Sequence, residues 1–137
     1  MIDLSIRYTF ADYMTWLDDK ARELIDGIIK MMPAPRPVHA KISFNITGNL
    51  WAILKKHQDR CEVFSAPFDV RLPKNGETAD NTIYTVVQPD ICVVCDPSKI
   101  DKRGCCGAPD MIVEIFSPST KARDAREKFI LYEKSIF

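Results

Sequence analysis

Four things are missing from this 137-residue chain, and each absence narrows what it can be. No apolar run approaches the length needed to span a bilayer, so a membrane helix is not expected. The N-terminus, Met-Ile-Asp-Leu-Ser-Ile-Arg, lacks a basic region followed by an apolar stretch, so it does not read as a signal peptide, and the cytoplasm is the expected address. There is no charge excess, because 19 lysines and arginines balance 19 aspartates and glutamates. A domain that coats nucleic acid takes its affinity from neutralised phosphates, so any such contact here must be local. No internal repeat or low-complexity segment is visible either.

What is present suits one globular domain with a single hydrophobic core. The best local basic patch is Lys121-Ala-Arg-Asp-Ala-Arg126-Glu-Lys128, a run that on composition alone is a solvated helix face. Five cysteines, an odd number, argue for reduced thiols rather than a disulfide framework. Cys92-Val-Val-Cys95 has the spacing of a zinc half-site, with Cys105-Cys106 nearby. Residues three apart on a strand point to opposite faces, however, so these thiols read better as small buried hydrophobes.

Local patterns predict a set of elements. Thr9-Phe-Ala-Asp12 has the form of a capping box opening a short helix through about Leu17. Asp26-Gly27 joins two β-rich runs and predicts a tight hairpin. After Pro33, Pro35 and Pro37, the spacing of Ile42, Ile46, Leu50 and Leu54 predicts an amphipathic helix of about five turns, with Trp51 and Ile53 alongside. Strands are expected at 61–66, 68–72, 90–95 and 111–116, with a helical turn at 97–100. A last helix from Ala122 to about Lys134 should turn Ala122, Ala125, Phe129, Tyr132 and Ile136 inward. Strands interleaved with two substantial helices give an α/β or α+β domain with a mixed sheet between helices.

Two carboxylates stand out. Asp90 follows Pro89 and begins an apolar strand, where a charge is costly without a cation or donors. Glu114 interrupts the β-branched run Met-Ile-Val-Glu-Ile-Phe from the inside. On neighbouring strands the two would repel, and a divalent cation resolves the conflict, since Mg²⁺ takes one or two carboxylates plus water and phosphate oxygens. The plainer alternatives are that Asp90 caps a turn and that Glu114 pairs with a lysine or arginine of the last helix. Lys128, four residues after Asp124, reads as a surface ion pair. Asp110 shares a strand face with Glu114 but lies about 13 Å away along it, too far to share a metal.

The segments Val87-Gln-Pro-Asp-Ile-Cys-Val-Val-Cys-Asp-Pro-Ser-Lys99 and Gly107-Ala-Pro-Asp-Met-Ile-Val-Glu-Ile-Phe-Ser-Pro-Ser-Thr120 resemble the signature of the Uma-two family of restriction-endonuclease-like proteins. Asp124-x-x-x-Lys128-x-x-x-Tyr132, Glu23-Leu-Ile-Asp-Gly27, Met31-Met32-x-x-Pro35 and His39 match as well. The resemblance runs from about Tyr8 to the end, and that family is similar to PD-(D/E)XK nucleases. It implies a single domain over 1–137 with a sheet flanked by helices, and a Mg²⁺-dependent endonuclease (Mn²⁺ as a substitute) acting on DNA. Asp90 and Glu114 would be the metal-binding acids. The usual lysine two residues after Glu114 is replaced by Phe116, and its role passes to Lys128 on the next helix. Glu23 would be an auxiliary acid, and His39 a weaker candidate at the helix start. The resemblance also implies that a C-terminal segment of the family is missing here, which makes a homodimer a fair expectation. The alternative is a catalytically inactive nuclease-fold domain that binds nucleic acid or a protein partner.

Overall fold

A computed structural model describes residues 3, 5–58, 60–116 and 122–136, the side chains of 122–124 and 136 excepted. The N-terminal capping box forms: Asp12 accepts the Thr9 N–H at 2.8 Å and Thr9 Oγ1 accepts the Asp12 N–H at 3.4 Å. The helix it opens, α1 (Phe10–Tyr13), ends well short of Leu17. Both the N–H and the hydroxyl of Thr15 turn back to the Asp12 carbonyl, tightening the chain out of the helix, and Leu17 is left exposed.

Strands β1 (Arg22–Ile25) and β2 (Ile28–Met31) form the expected hairpin, paired Ile25 to Ile28. Asp26 and Gly27 take φ of 50° and 80°, the left-handed pair that a two-residue turn demands. Helix α2 (Pro37–Lys56) starts on its proline and packs on β3 (Glu62–Ser65). Ile46, Leu50 and Leu54 are partly covered, but Ile42, Trp51 and Ile53 are exposed. The apolar face predicted for this helix is therefore wider than the surface that covers it.

The remaining strands are β4 (Val70–Arg71), β5 (Val86–Val87), β6 (Ile91–Val94), β7 (Ile100–Asp101), β8 (Gly104–Cys106) and β9 (Met111–Val113), followed by α3 (Ala122–Ile136). They build two sheets. One is six-stranded and mixed, in the order β2-β1-β5-β4-β8-β7, with β4 and β8 parallel; the other is three-stranded and antiparallel, β3-β6-β9. The helical turn expected near Pro97 is present at Pro97–Lys99. The main core lies where both sheets meet α3: Val70, Val87 and Cys105 of the larger sheet face Cys92 and Val94 of the smaller, with Leu131 and Tyr132 of α3 against them. All four residues of β6 are buried, as its unbroken apolar run requires. Gly104 has no substitute, since a Cβ there would sit 2.2 Å from the Asp69 carbonyl oxygen at a φ of +122°.

Two expectations need correction. Ala125 and Tyr132 of α3 turn toward the body as expected, but Phe129 is exposed and Lys128 faces inward beside them. Cys61 and Cys95 are joined as a disulfide, although the odd cysteine count suggested thiols throughout. The β3–β6 register explains the pairing: with Glu62 opposite Val94, the next step sets Cys61 opposite Cys95. Cys92 and Cys105 are buried in the main core as expected, and burial pushes the Cys92 thiol up to about 12. Among the described residues no cluster of histidine, cysteine or acidic side chains is arranged to hold a metal by itself, which leaves the zinc alternative without a site. Nor is any described helix long and apolar enough to cross a membrane.

Candidate active site

The chain passes from the larger sheet to the smaller between β5 and β6, through Gln88-Pro89-Asp90, and the site is built around that crossing. In the β6–β9 ladder Ile91 stands opposite Val113. Continued by one residue, this register sets Asp90 across from Glu114, near enough for the Asp90 charge to act on the Glu114 carboxyl. Asp90 Oδ2 accepts the N–H of Ile115 at 2.7 Å, which fastens the end of β9 to the start of β6. Its other oxygen, Oδ1, lies 3.1 Å from Nε2 of His39, on the first turn of α2. Pro37 starts that helix, and His39 is its third residue.

Glu114 is held from α3. Lys128 Nζ and the Tyr132 hydroxyl both donate to Oε1 of Glu114, at 2.9 and 2.7 Å. Lys128 and Tyr132 are four apart on one helix face, so they reach the same strand end together. Lys128 also pairs with Oε1 of Glu23 at 3.1 Å, and Oε2 of Glu23 accepts the Gln88 N–H at 2.8 Å. Glu23 is almost fully buried on β1. The Gln88 side chain is fixed in turn by Tyr13 and Asp69, which ties the crossing to α1.

Burial raises the Glu114 carboxyl above its ordinary value; Lys128 and Tyr132 pull it down, and the Asp90 charge pushes it up, with a net rise. For Lys128 burial acts to lower the value, but the charges of Glu23 and Glu114 outweigh it and the net direction is up. Three carboxylates thus face one lysine and one histidine. Among the described residues no group of three or more histidine, cysteine or acidic side chains is placed to hold a metal, so a divalent cation here would rest on Asp90 and Glu114 alone, with water and substrate oxygens in its other positions.

The structure brings Asp90, Glu114, Lys128 and Glu23 to one place. Of the plainer alternatives it realises one, Glu114 bridged to a lysine of the last helix; Asp90 does not cap a turn of its own but accepts the N–H at the end of the neighbouring strand. Asp110 is elsewhere, accepting the Cys95 N–H at 2.6 Å. Sequence reasoning gave His39 too small a part and read Tyr132 as plain core; the i,i+4 spacing of Lys128 and Tyr132 was the available signal. Lys128 does not pair outward as a surface residue, and the side chain of Asp124, its expected partner, lies outside the described residues, as does Ser117–Thr120. Of the basic run at 121–128, Arg126 is exposed while Lys128 turns inward. The site opens into a broad groove whose walls include Lys30, Met32, Arg36, Phe44, Pro67 and Phe116.

The chain is an α+β domain with acids and a lysine gathered at a strand end, and a solved structure agrees on the fold. A crystal structure from Anabaena variabilis, described as a "putative nuclease belonging to DUF820", superposes with a TM-score of 0.70 over 93% of this chain and 68% of that one, at 21% identity. Residues 10–136 match the Uma2 family, described as "Putative restriction endonuclease", and the chain belongs to that family. The uncharacterized protein slr1290 of Synechocystis is 29% identical over 126 residues, which cover 88% of this chain. The chain spans 60% of that relative's length.

Proposed function

We propose that the protein is a metal-dependent endonuclease that hydrolyses DNA phosphodiester bonds, with Asp90 and Glu114 holding Mg²⁺, or Mn²⁺ in its place. The observation that carries this reading is the juxtaposition of Asp90 and Glu114 across β6 and β9, with Lys128 anchored beside them. When bound, such a cation polarises the phosphorus–oxygen bond and lowers the pKa of a bound water. Asp90 is oriented for the task by the Ile115 N–H and His39. Lys128, held by Glu23 and Glu114, presents a fixed positive charge where negative charge develops on phosphate. Glu23 serves as the positioning residue for Lys128. The reading includes a cytoplasmic homodimer. The exposed Met111 on β9, an edge strand of the smaller sheet, supports a second copy pairing there.

A second reading, an inactive nuclease-fold domain that binds nucleic acid or a protein partner, draws support from one observation. One oxygen of Asp90 accepts the Ile115 N–H, the other lies 3.1 Å from His39 Nε2, and Lys128 already pairs with Glu114. Incubation of plasmid DNA with purified protein and Mg²⁺ or Mn²⁺ separates the two. Nicking by the wild type that disappears in Asp90→Ala and Glu114→Ala, with circular dichroism unchanged, supports the nuclease. Retained cleavage in either variant, or DNA binding without cleavage by the wild type, overturns it.

A further inference from the structure

The groove around the carboxylates has walls unlike those of a site that tracks a duplex backbone. Arg36, His39, Ala40, Ser43 and Phe44 all line it. Their spacing of three and four residues makes them one face of α2, so the first two turns of this helix form a continuous wall. Phe44 is 78% exposed on that wall, and Phe116, two residues past Glu114, lines the same groove and is 56% exposed. Two exposed aromatic rings in one groove are a costly arrangement in water unless something covers them.

Charge points to what that something is. Duplex binding draws mainly on phosphate neutralisation, yet this chain has a formal net charge of zero. Within the groove Lys128 is engaged by Glu23 and Glu114, and Lys30 is paired with Glu127. Arg36 is exposed at the rim. Among the described residues that line the groove, Arg36 is thus the exposed cation left for phosphate, and base–aromatic stacking is the further source of affinity that exposed rings provide. Bases offer their faces to such rings only when they are unpaired.

Resting on the reading of this groove as a nucleic-acid site, we propose that its substrate is single-stranded or locally unpaired DNA, with bases stacked on Phe44 and Phe116 so that the intervening phosphate lies at Asp90 and Glu114. Arg36 meets a flanking phosphate. The binding is only weakly dependent on salt, because few phosphates are neutralised.

The test is fluorescence anisotropy with a short labelled oligothymidylate, in EDTA so that no cleavage intervenes. Phe44→Ala and Phe116→Ala should each weaken binding about tenfold. Phe129→Ala, which removes an exposed ring outside the groove, should leave it unchanged. A duplex of matched length should compete poorly. Equal or tighter duplex binding, no oligothymidylate binding by the wild type, or wild-type affinity in both groove variants overturns the proposal. Oligothymidylate binding without cleavage in Mg²⁺ or Mn²⁺ would sink the nuclease and leave this inference standing. Cleavage of duplex DNA without single-strand binding would do the reverse.

Discussion

The dipeptide Pro-Asp occurs at the start of both β6 and β9, and because these strands are antiparallel the two copies stand at opposite ends of one ladder. Locally they do the same thing. Asp90 accepts the N–H of Ile115 as the chain leaves β9, and Asp110 accepts the N–H of Cys95 as the chain leaves β6. Their surroundings differ. At the Asp110 end the neighbour is the Cys61–Cys95 disulfide, and Asp110 is exposed. At the Asp90 end, α2 brings His39 and α3 brings Lys128 and Tyr132 over the strand termini, and Glu114 stands opposite. The same capping device thus serves both ends of the ladder, and on the proposed reading it also holds the Asp90 carboxylate in position for chemistry. A structural role for Asp90 therefore does not argue against a catalytic one.

Substitution at the two ends should separate these roles most sharply. Asp90→Ala is expected to take cleavage to background, whereas Asp110→Ala should leave it within about twofold. Each should cost roughly 1 kcal/mol of stability, for one lost hydrogen bond to a carboxylate. Denaturant melts beside plasmid nicking would show it, and a comparable loss of activity at Asp110 would erase the distinction.

A second contrast is energetic. Lys128→Met leaves Glu23 and Glu114 buried without their cation and should destabilise the fold by about 3 kcal/mol. Adding Glu114→Gln should recover part of that loss, because one of the stranded charges is gone. A purely additive double variant in urea unfolding would mean that Lys128 and Glu114 do not sense each other.

The smallest effect concerns pH. The folded state holds the Lys128 proton more tightly than the unfolded chain, whose ordinary value is 10.5. Its stabilisation is complete below that value and is lost as pH rises through the higher folded one. Tyr132 acts in the same sense: burial and the Glu114 charge keep its phenol protonated past its ordinary 10.0. Thermal melts should therefore show an alkaline loss of stability setting in near pH 10. Tyr132→Phe should blunt that limb, and Asp110→Ala should leave it alone. An unchanged limb in Tyr132→Phe would show that its ionisation is not coupled to folding.

Much of this molecule was legible because much of it is local. The Thr9–Asp12 capping box, the Asp26-Gly27 turn, the start of α2 at Pro37 and the buried run of β6 each depend on a few adjacent residues. Charged residues inside apolar strands were also visible as anomalies, which is how Asp90 and Glu114 stood out. Where local reasoning failed, distance along the chain was the cause. Phe129 belongs to an apolar stripe by periodicity, but α3 rotates to give Lys128 access to Glu23 and Glu114, and the aromatic ring is turned out to solvent.

The sequence by itself determined the first hairpin, the two long helices and the strands at β3, β4, β6 and β9, and which carboxylates would be stranded among apolar neighbours. The short strands β5, β7 and β8 carry too few residues for a pattern to show. Only the tertiary structure set Asp90 beside Glu114. It alone placed Cys61 against Cys95, His39 against Asp90 and two glutamates on one lysine. The physical reason is that strand register and helix docking are set by the packing of whole faces. A shift of one residue in the β6–β9 ladder would preserve every local preference and still turn each side chain to the opposite face.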